Sequence, residues 1–237
     1  MIPWLDPNSN DFPPITQALE EPNGLLAAGG DLSGNRLIEA YRHGIFPWFS
    51  PGEPILWWSP DPRCTLIPGQ IHISRSLRKA IRSTEFEITF DQAFTEVIAA
   101  CAAPRGYTDG TWISMPMQNA YTQLHQRGVA HSVELWQNGE LTGGLYGIAM
   151  GRLFFGESMF SRTTNASKIA FVIFARQLEK WGYALIDCQV ENNHLTSLGV
   201  RSIPRTEFKQ YLDHNLETEL NHRWHFDIDK EDVVRTE

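Results

Sequence analysis

The chain has 237 residues, with 20 Lys and Arg against 28 Asp and Glu for a formal charge of −8, an apolar fraction of 42 % and a charged fraction of 20 %. These proportions exclude a disordered chain and a generic basic nucleic-acid coat, while a local basic patch stays open. The three cysteines, Cys64, Cys101 and Cys188, lie far apart in no CxxC pair, which excludes a disulfide scaffold and suits a reducing cytosol. In chain order, residues 1–62 are rich in Pro and Gly. Ser33 reads as the N-cap of a helix over 35–43 that Gly44 ends, 45–52 turns sharply, and 55–59 is a short apolar strand. Asp61-Pro62 marks a domain boundary, giving a small N-terminal domain over 1–62 and a larger one over 63–237.

Beyond it, 63–67 reads as a strand and 74–81 as a helix carrying Arg75, Arg78, Lys79 and Arg82. Residues 86–90 alternate like a strand, and Asp91 reads as the cap of a helix running to Cys101. After a loop over 104–111, a helix over 115–127 ends at Gly128. Strands over 130–137 and 141–149 flank Asn138-Gly139, the strongest short hairpin signal. A third strand covers 152–160. Asn165 reads as the cap of a helix over 166–181 that Gly182 stops, and 183–190 is a further strand. The tail after Glu217 is polar and expected to be loosely held.

The N-terminus has neither a basic nor an apolar targeting region, so no signal peptide is expected. The most apolar helical stretch, 169–175, falls far short of the roughly 20 residues that span a bilayer. A cytoplasmic monomer with no membrane contact is the expectation. No zinc spacing is present, and His222 and His225 near the tail are a weak metal pair, so no metal is expected.

A meander followed by a helix and a strand is the core order of the N-acyltransferase fold, so the chain is expected to be α+β with a GNAT-like C-terminal domain behind a small N-terminal α+β domain. Coenzyme A enzymes of that fold place two glycines in the loop opening the helix, so that backbone N–H groups approach the pyrophosphate. Here those positions hold Asn165 and Ser167. The fold order without that cradle points to acyl transfer from a different carrier.

Six segments carry a resemblance. They are Glu21-Pro22-Asn23-Gly24-Leu25-Leu26, Gly44-Ile45-Phe46-Pro47-Trp48-Phe49, Trp57-Trp58-Ser59-Pro60-Asp61-Pro62-Arg63, Gly110-Thr111-Trp112-Ile113, Phe155-Gly156-Glu157-Ser158-Met159-Phe160-Ser161 and Leu185-Ile186-Asp187-Cys188-Gln189. In that order, over about residues 20–211, the chain resembles the leucyl/phenylalanyl-tRNA–protein transferases. The resemblance implies transfer of Leu or Phe, and less readily Met, from aminoacyl-tRNA to the α-amino group of proteins with N-terminal Arg or Lys. The product is marked for degradation, and neither coenzyme A nor metal takes part.

That reaction is aminolysis of an activated ester. It needs an amine held against a carbonyl, a proton acceptor and oxyanion stabilisation, but no protein nucleophile. Strand alternation puts Asp187 and Gln189 on one face, where they are the candidate catalytic pair. Asp187 as base and Asp187 as a group orienting Gln189 and the amine are both open. Cys188 faces the other way with no partner base in view. Glu157 in an apolar strand needs a partner: either an internal ion pair with Arg162, or the substrate's cationic N-terminal residue or the tRNA 3′ end. Trp48, Trp112, Phe154, Phe155, Leu145 and Met159 are candidates for an apolar aminoacyl pocket. The resemblance moves Trp48, Trp112, Phe154 and Met159 from core to pocket. Arg75, Arg78, Lys79 and Arg82 line one helical side at i, i+3, i+4 and i+7, the best tRNA phosphate patch in an acidic chain. The rival readings are an acyltransferase using coenzyme A or building a cell-wall peptide, and a non-enzymatic adaptor for basic N-termini.

Overall fold

The computed structural model describes residues 2–104 and 111–234. Gly110 of the Gly-Thr-Trp-Ile motif and 105–110 of the expected loop lie outside the described residues. A first sheet has the order β1-β2-β4-β3, from β1 (Trp4–Leu5), β2 (Leu25–Gly29), β3 (Phe46–Pro47) and β4 (Leu56–Trp58). Helix α1 (Gly34–Arg42) begins where the Ser33 hydroxyl accepts the Arg36 N–H, and stops before Gly44, whose φ of 72° suits glycine.

The second sheet has seven strands in the order β11-β5-β10-β9-β8-β7-β6. In chain order the elements are β5 (Arg63–Leu66), α2 (Arg75–Ser83), β6 (Glu87–Phe90), α3 (Phe94–Ala102), α4 (Met115–Gln126), β7 (Ala130–Gln137), β8 (Glu140–Met150), β9 (Leu153–Ser161), α5 (Ala166–Trp181), β10 (Leu185–Gln189), α6 (Asn193–Thr196), β11 (Arg201–Ile203), α7 (Arg205–Asn215) and α8 (Lys230–Val233). The meander is antiparallel, and after α5 the chain returns so that β10 lies parallel to β9. The fold is α+β, with the element order expected of an N-acyltransferase-like domain.

Two apolar layers cover the faces of this sheet. Helices α2, α5 and α8 supply Leu77, Ile81, Phe171, Phe174 and Val233 to one. In the other, Leu26, Leu37, Tyr41, Phe46 and Trp57 of the N-terminal segment pack in the same cluster as Tyr121, Phe155 and Phe208. The first 62 residues therefore have their own sheet but share a core with the seven-stranded domain.

Four local expectations need correction. Asp91 does not cap α3, whose N-cap position is Ala93 with no side-chain bond; its carboxylate instead accepts the Ser132 N–H at 2.9 Å and lies 2.7 Å from His131 Nδ1. Asn165 precedes α5 in a left-handed conformation, and its side chain accepts no capping bond. Glu157 forms no ion pair with Arg162, whose guanidinium donates to the Leu141 carbonyl and lies over the Phe160 ring. The tail is packed: Phe226 stacks on Phe90 with ring centroids 3.8 Å apart, Trp224 stacks on His131 at 3.6 Å, and Val233 and Val234 are buried. Trp224 and Phe226, two apart in a polar context, were the signal for it.

Candidate functional site

The site arises where two strands part. β10 pairs with β9 only as far as Asp187 opposite Phe155. Beyond that point β9 runs on with β8, and β10 keeps only its pairing with β5. A cavity of about 940 Å³ opens in the gap, lined by 156–161 of β9 and by Cys188 and Gln189 of β10. Both strands are irregular there. In β9, Gly147 faces Gly156 and Tyr146 faces Ser158, so Glu157 is an extra residue bulged out of the ladder. Gly147 permits this approach, since a Cβ there would collide with the Phe155 carbonyl oxygen and come 2.6 Å from the Phe154 ring. In β10 the register slips between Asp187 and Gln189, and Gln189 takes a φ of 61°.

Six residues singled out in the sequence, Trp48, Trp112, Phe154, Glu157, Met159 and Gln189, line this one cavity. Leu145 joins them; Phe155 points to the opposite face and packs on Tyr41 with centroids 5.3 Å apart. Phe154 is buried edge-on against Phe174, whereas Trp48 is 45 % exposed and its carbonyl accepts the Trp58 indole N–H. The apolar wall thus grades from fixed core to open rim.

One wall is polar. Glu157 is only 8 % exposed; its carboxyl oxygens lie 2.6 Å from the Tyr41 hydroxyl and 2.9 Å from the Tyr121 hydroxyl, and Oε1 receives the Gln189 amide at 2.7 Å. Burial pushes its pKa up to about 7 against these donors, with the Asp187 charge adding to the rise. Burial, reinforced by the Glu157 charge, raises the Tyr41, Tyr121 and Tyr146 hydroxyls well above their ordinary range.

Asp187 does not line the cavity. It is buried behind Gln189, where Arg63 donates Nε at 2.8 Å and Nη2 at 2.7 Å to its two oxygens. The Gln189 backbone N–H donates to Asp187 Oδ1 at 2.9 Å. Arg63 is itself fully buried between the Phe46 and Phe208 rings, 4.8 and 4.7 Å from its guanidinium carbon. Asp187 is therefore a buried anchor that fixes the bulged backbone of Gln189. Cys188 packs toward the α5 face, and burial raises its thiol well above the ordinary range, which disfavours a thiolate. Sequence reading missed Arg63, Tyr41, Tyr121 and Tyr146, because their partners lie far away in the chain.

The basic run sits elsewhere. Arg75, Arg78, Lys79 and Arg82 line a separate shallow groove on α2. Arg78 is half-buried and donates to the Ile73 carbonyl; the other three are exposed. At the start of α5, the Ala166 N–H is taken by the Thr163 carbonyl and the Ser167 N–H by the Ser161 hydroxyl. No group of three or more metal-ligating side chains gathers among the described residues. No helix among them is long and apolar enough to cross a membrane.

The sequence model of the leucyl/phenylalanyl-tRNA protein transferases matches residues 65–213, and that of their N-terminal domain matches residues 30–61. The chain belongs to this family. It is 62 % identical over 224 residues to the leucyl/phenylalanyl-tRNA–protein transferase of Pseudomonas fluorescens, covering 94 % of this chain and 99 % of that one. Its identity to the enzyme of Ectopseudomonas mendocina is 60 % over the same length and shares. Among solved structures, the L-PGS of Bacillus licheniformis aligns with a TM-score of 0.41 at 10 % identity, over 67 % of this chain and 51 % of that one.

Proposed function

We propose that this aminoacyltransferase moves Leu or Phe, and less readily Met, from aminoacyl-tRNA to the α-amino group of proteins that begin with Arg or Lys, marking them for degradation. It works as a monomer in the cytoplasm, with no metal or coenzyme A. Family membership supports the transfer. The observation that carries the assignment of ends is the cavity's asymmetry, an apolar wall of Trp48, Trp112, Phe154 and Met159 facing a polar wall of Glu157 and Gln189. The apolar wall suits the donor side chain. The polar wall suits the acceptor, whose cationic first residue complements a carboxyl.

In the reaction the acceptor nitrogen bonds to the ester carbonyl carbon and the carbonyl–ribose oxygen bond breaks. One proton leaves the nitrogen and one reaches the ribose oxygen. A free α-amine has a pKa of about 7.7–8.0, so much of the work is positioning. Gln189, tied to Glu157 through its Nε2, turns its carbonyl oxygen toward the amine N–H. Asp187 already accepts three N–H bonds, two from Arg63 and one from Gln189, which supports the orienting role over that of base. The exposed Arg75, Lys79 and Arg82 meet tRNA phosphates, and residues 1–62 act with 63–237 as two domains over a shared core. The filled N–H groups at the start of α5 speak against a coenzyme A cradle.

The decisive experiment mixes the protein with radiolabelled Leu-tRNA and peptides beginning with Arg, Lys or Asp. Label should pass to the first two and not the third. Intact charged tRNA with no label on any peptide overturns the reading.

A further inference from the structure

The polar wall holds more contacts than its hydroxyl protons can fill. Tyr41 and Tyr121 oxygens lie 2.5 Å apart, Tyr41 lies 2.6 Å from Glu157 Oε1, and Tyr121 lies 2.9 Å from Glu157 Oε2. Each of these three close oxygen–oxygen contacts needs one proton between its atoms. A tyrosine hydroxyl carries only one donor proton, so two tyrosines supply two. A carboxylate supplies none. A carboxylic acid supplies the third, and the donors then run in one direction: Glu157 Oε2–H to Tyr121, Tyr121 O–H to Tyr41, Tyr41 O–H to Glu157 Oε1, the oxygen that also accepts the Gln189 amide.

We propose that Tyr41, Tyr121 and Glu157 form a closed three-proton ring that keeps Glu157 as an uncharged acid until a cationic acceptor end arrives and displaces the proton. The proposal rests on the acceptor reading given above and adds how that end of the site is gated. When the cation enters, Glu157 loses its proton to solvent and pairs with the guest as a carboxylate. Both tyrosines then donate to it, and the contact between their two oxygens is left without a proton. Acceptor binding and proton release become one event. Tyr41 and Tyr121 are positioning residues, because neither lines the cavity.

The surroundings agree with a neutral resting group. Around Glu157 stand Tyr41 from α1, Tyr121 from α4, Tyr146 from β8, and Gln189 and Asp187 from β10, with Arg63 behind Asp187; His194 of α6 lines the cavity. Both of the Arg63 donors that reach Asp187 are spent on it, and no described cation bonds to Glu157. The Tyr146 hydroxyl is buried without a hydrogen-bond partner among the described residues. Burial holds the Glu157 pKa near 7, between an ordinary carboxyl and an α-amine.

Carbon-13 NMR of protein labelled at the glutamate carboxyl carbon tests the ring directly. One resonance should titrate near neutrality and vanish in Glu157→Gln. In Tyr41→Phe/Tyr121→Phe the carboxylate loses both charge-assisted donors, so the midpoint should rise by about one unit. A wild-type spectrum with no carboxyl titrating above about pH 6, or an unmoved midpoint in the folded double variant, overturns the ring. Calorimetric titration at about pH 6 with an Arg-starting peptide, in two buffers of different ionisation enthalpy, tests the gating. Close to one proton should be released per peptide bound, and none in Glu157→Gln. Peptide binding without proton release overturns the gate while leaving the acceptor reading intact. Absence of binding, with the neutral resonance present, overturns the acceptor reading and the gate with it while the ring stands.

Discussion

Arg63, Asp187 and Gln189 behave differently under substitution because each is held differently. Asp187→Asn leaves the Arg63 guanidinium buried among aromatic rings with its charge unpaired, a change that typically costs about 3–5 kcal/mol. Its denaturation midpoint should fall steeply whatever happens to catalysis. Gln189→Ala removes an amide at the cavity wall and spares that ion pair. It should fold normally, bind Leu-tRNA normally and lower single-turnover transfer about 10²-fold. A normal transfer rate in that variant would remove Gln189 from the reacting centre. Glu157 gives a separate pH signature. Its folded pKa of about 7 exceeds the ordinary value of about 4.3, so the folded protein holds the extra proton between those values. Stability from this group is full below about pH 4 and declines as pH rises through about 7, at up to about 1.4 kcal/mol per pH unit. Glu157→Gln has no such proton. Denaturant melts from pH 5 to 8 should show the variant gaining on the wild type as pH increases; parallel curves would contradict the raised pKa.

The graded apolar wall predicts a separation of stability from donor use. Phe154 is buried against Phe174 beneath β8, so Phe154→Ala should cost about 3–5 kcal/mol. Trp48 sits on an open rim, so Trp48→Ala should leave the melting temperature nearly unchanged while weakening use of both Leu and Phe donors. If both variants lose stability equally, the rim assignment fails. The long elements were readable in advance because their signals are local: Ser33 and Gly44 bracket α1, Asn138-Gly139 sets the meander, and Gly182 ends α5. Strands β1, β3 and β11, of two or three residues, carry too little pattern to read. Asp91 and Asn165 misled because both take left-handed conformations in which a cap geometry is not reached. The cavity residues were legible through the family motifs, whereas the Tyr–Tyr–Glu ring and the Arg63–Asp187 pair were not. Tyr41 reads as one more apolar residue on a helix stripe, and Arg63 as a charge at a strand start; only the folded chain brings their partners close.

The exposed basic run on α2 is the proposed meeting point of an acidic protein with a polyanion. Reversing the exposed charges in Arg75→Glu/Lys79→Glu should weaken every charged tRNA alike. The slope of log affinity against log salt should become shallower by about 0.9 for each phosphate that is no longer neutralised. Unchanged affinity and slope would move the tRNA contact to another surface. The shared core has a counterpart in time. Tyr41 and Glu157 are 116 residues apart in sequence, and Arg63 and Asp187 are 124 apart. Loops of that length close late, since their entropy is lost before the contacts they bring can repay it. The meander and its hairpin can form early, but the contact of Tyr41 with Glu157 exists only once the first 62 residues have docked. Refolding from denaturant should therefore recover transfer activity with the slowest change in tryptophan fluorescence and none of it earlier, leaving a nascent or half-folded chain inert toward charged tRNA.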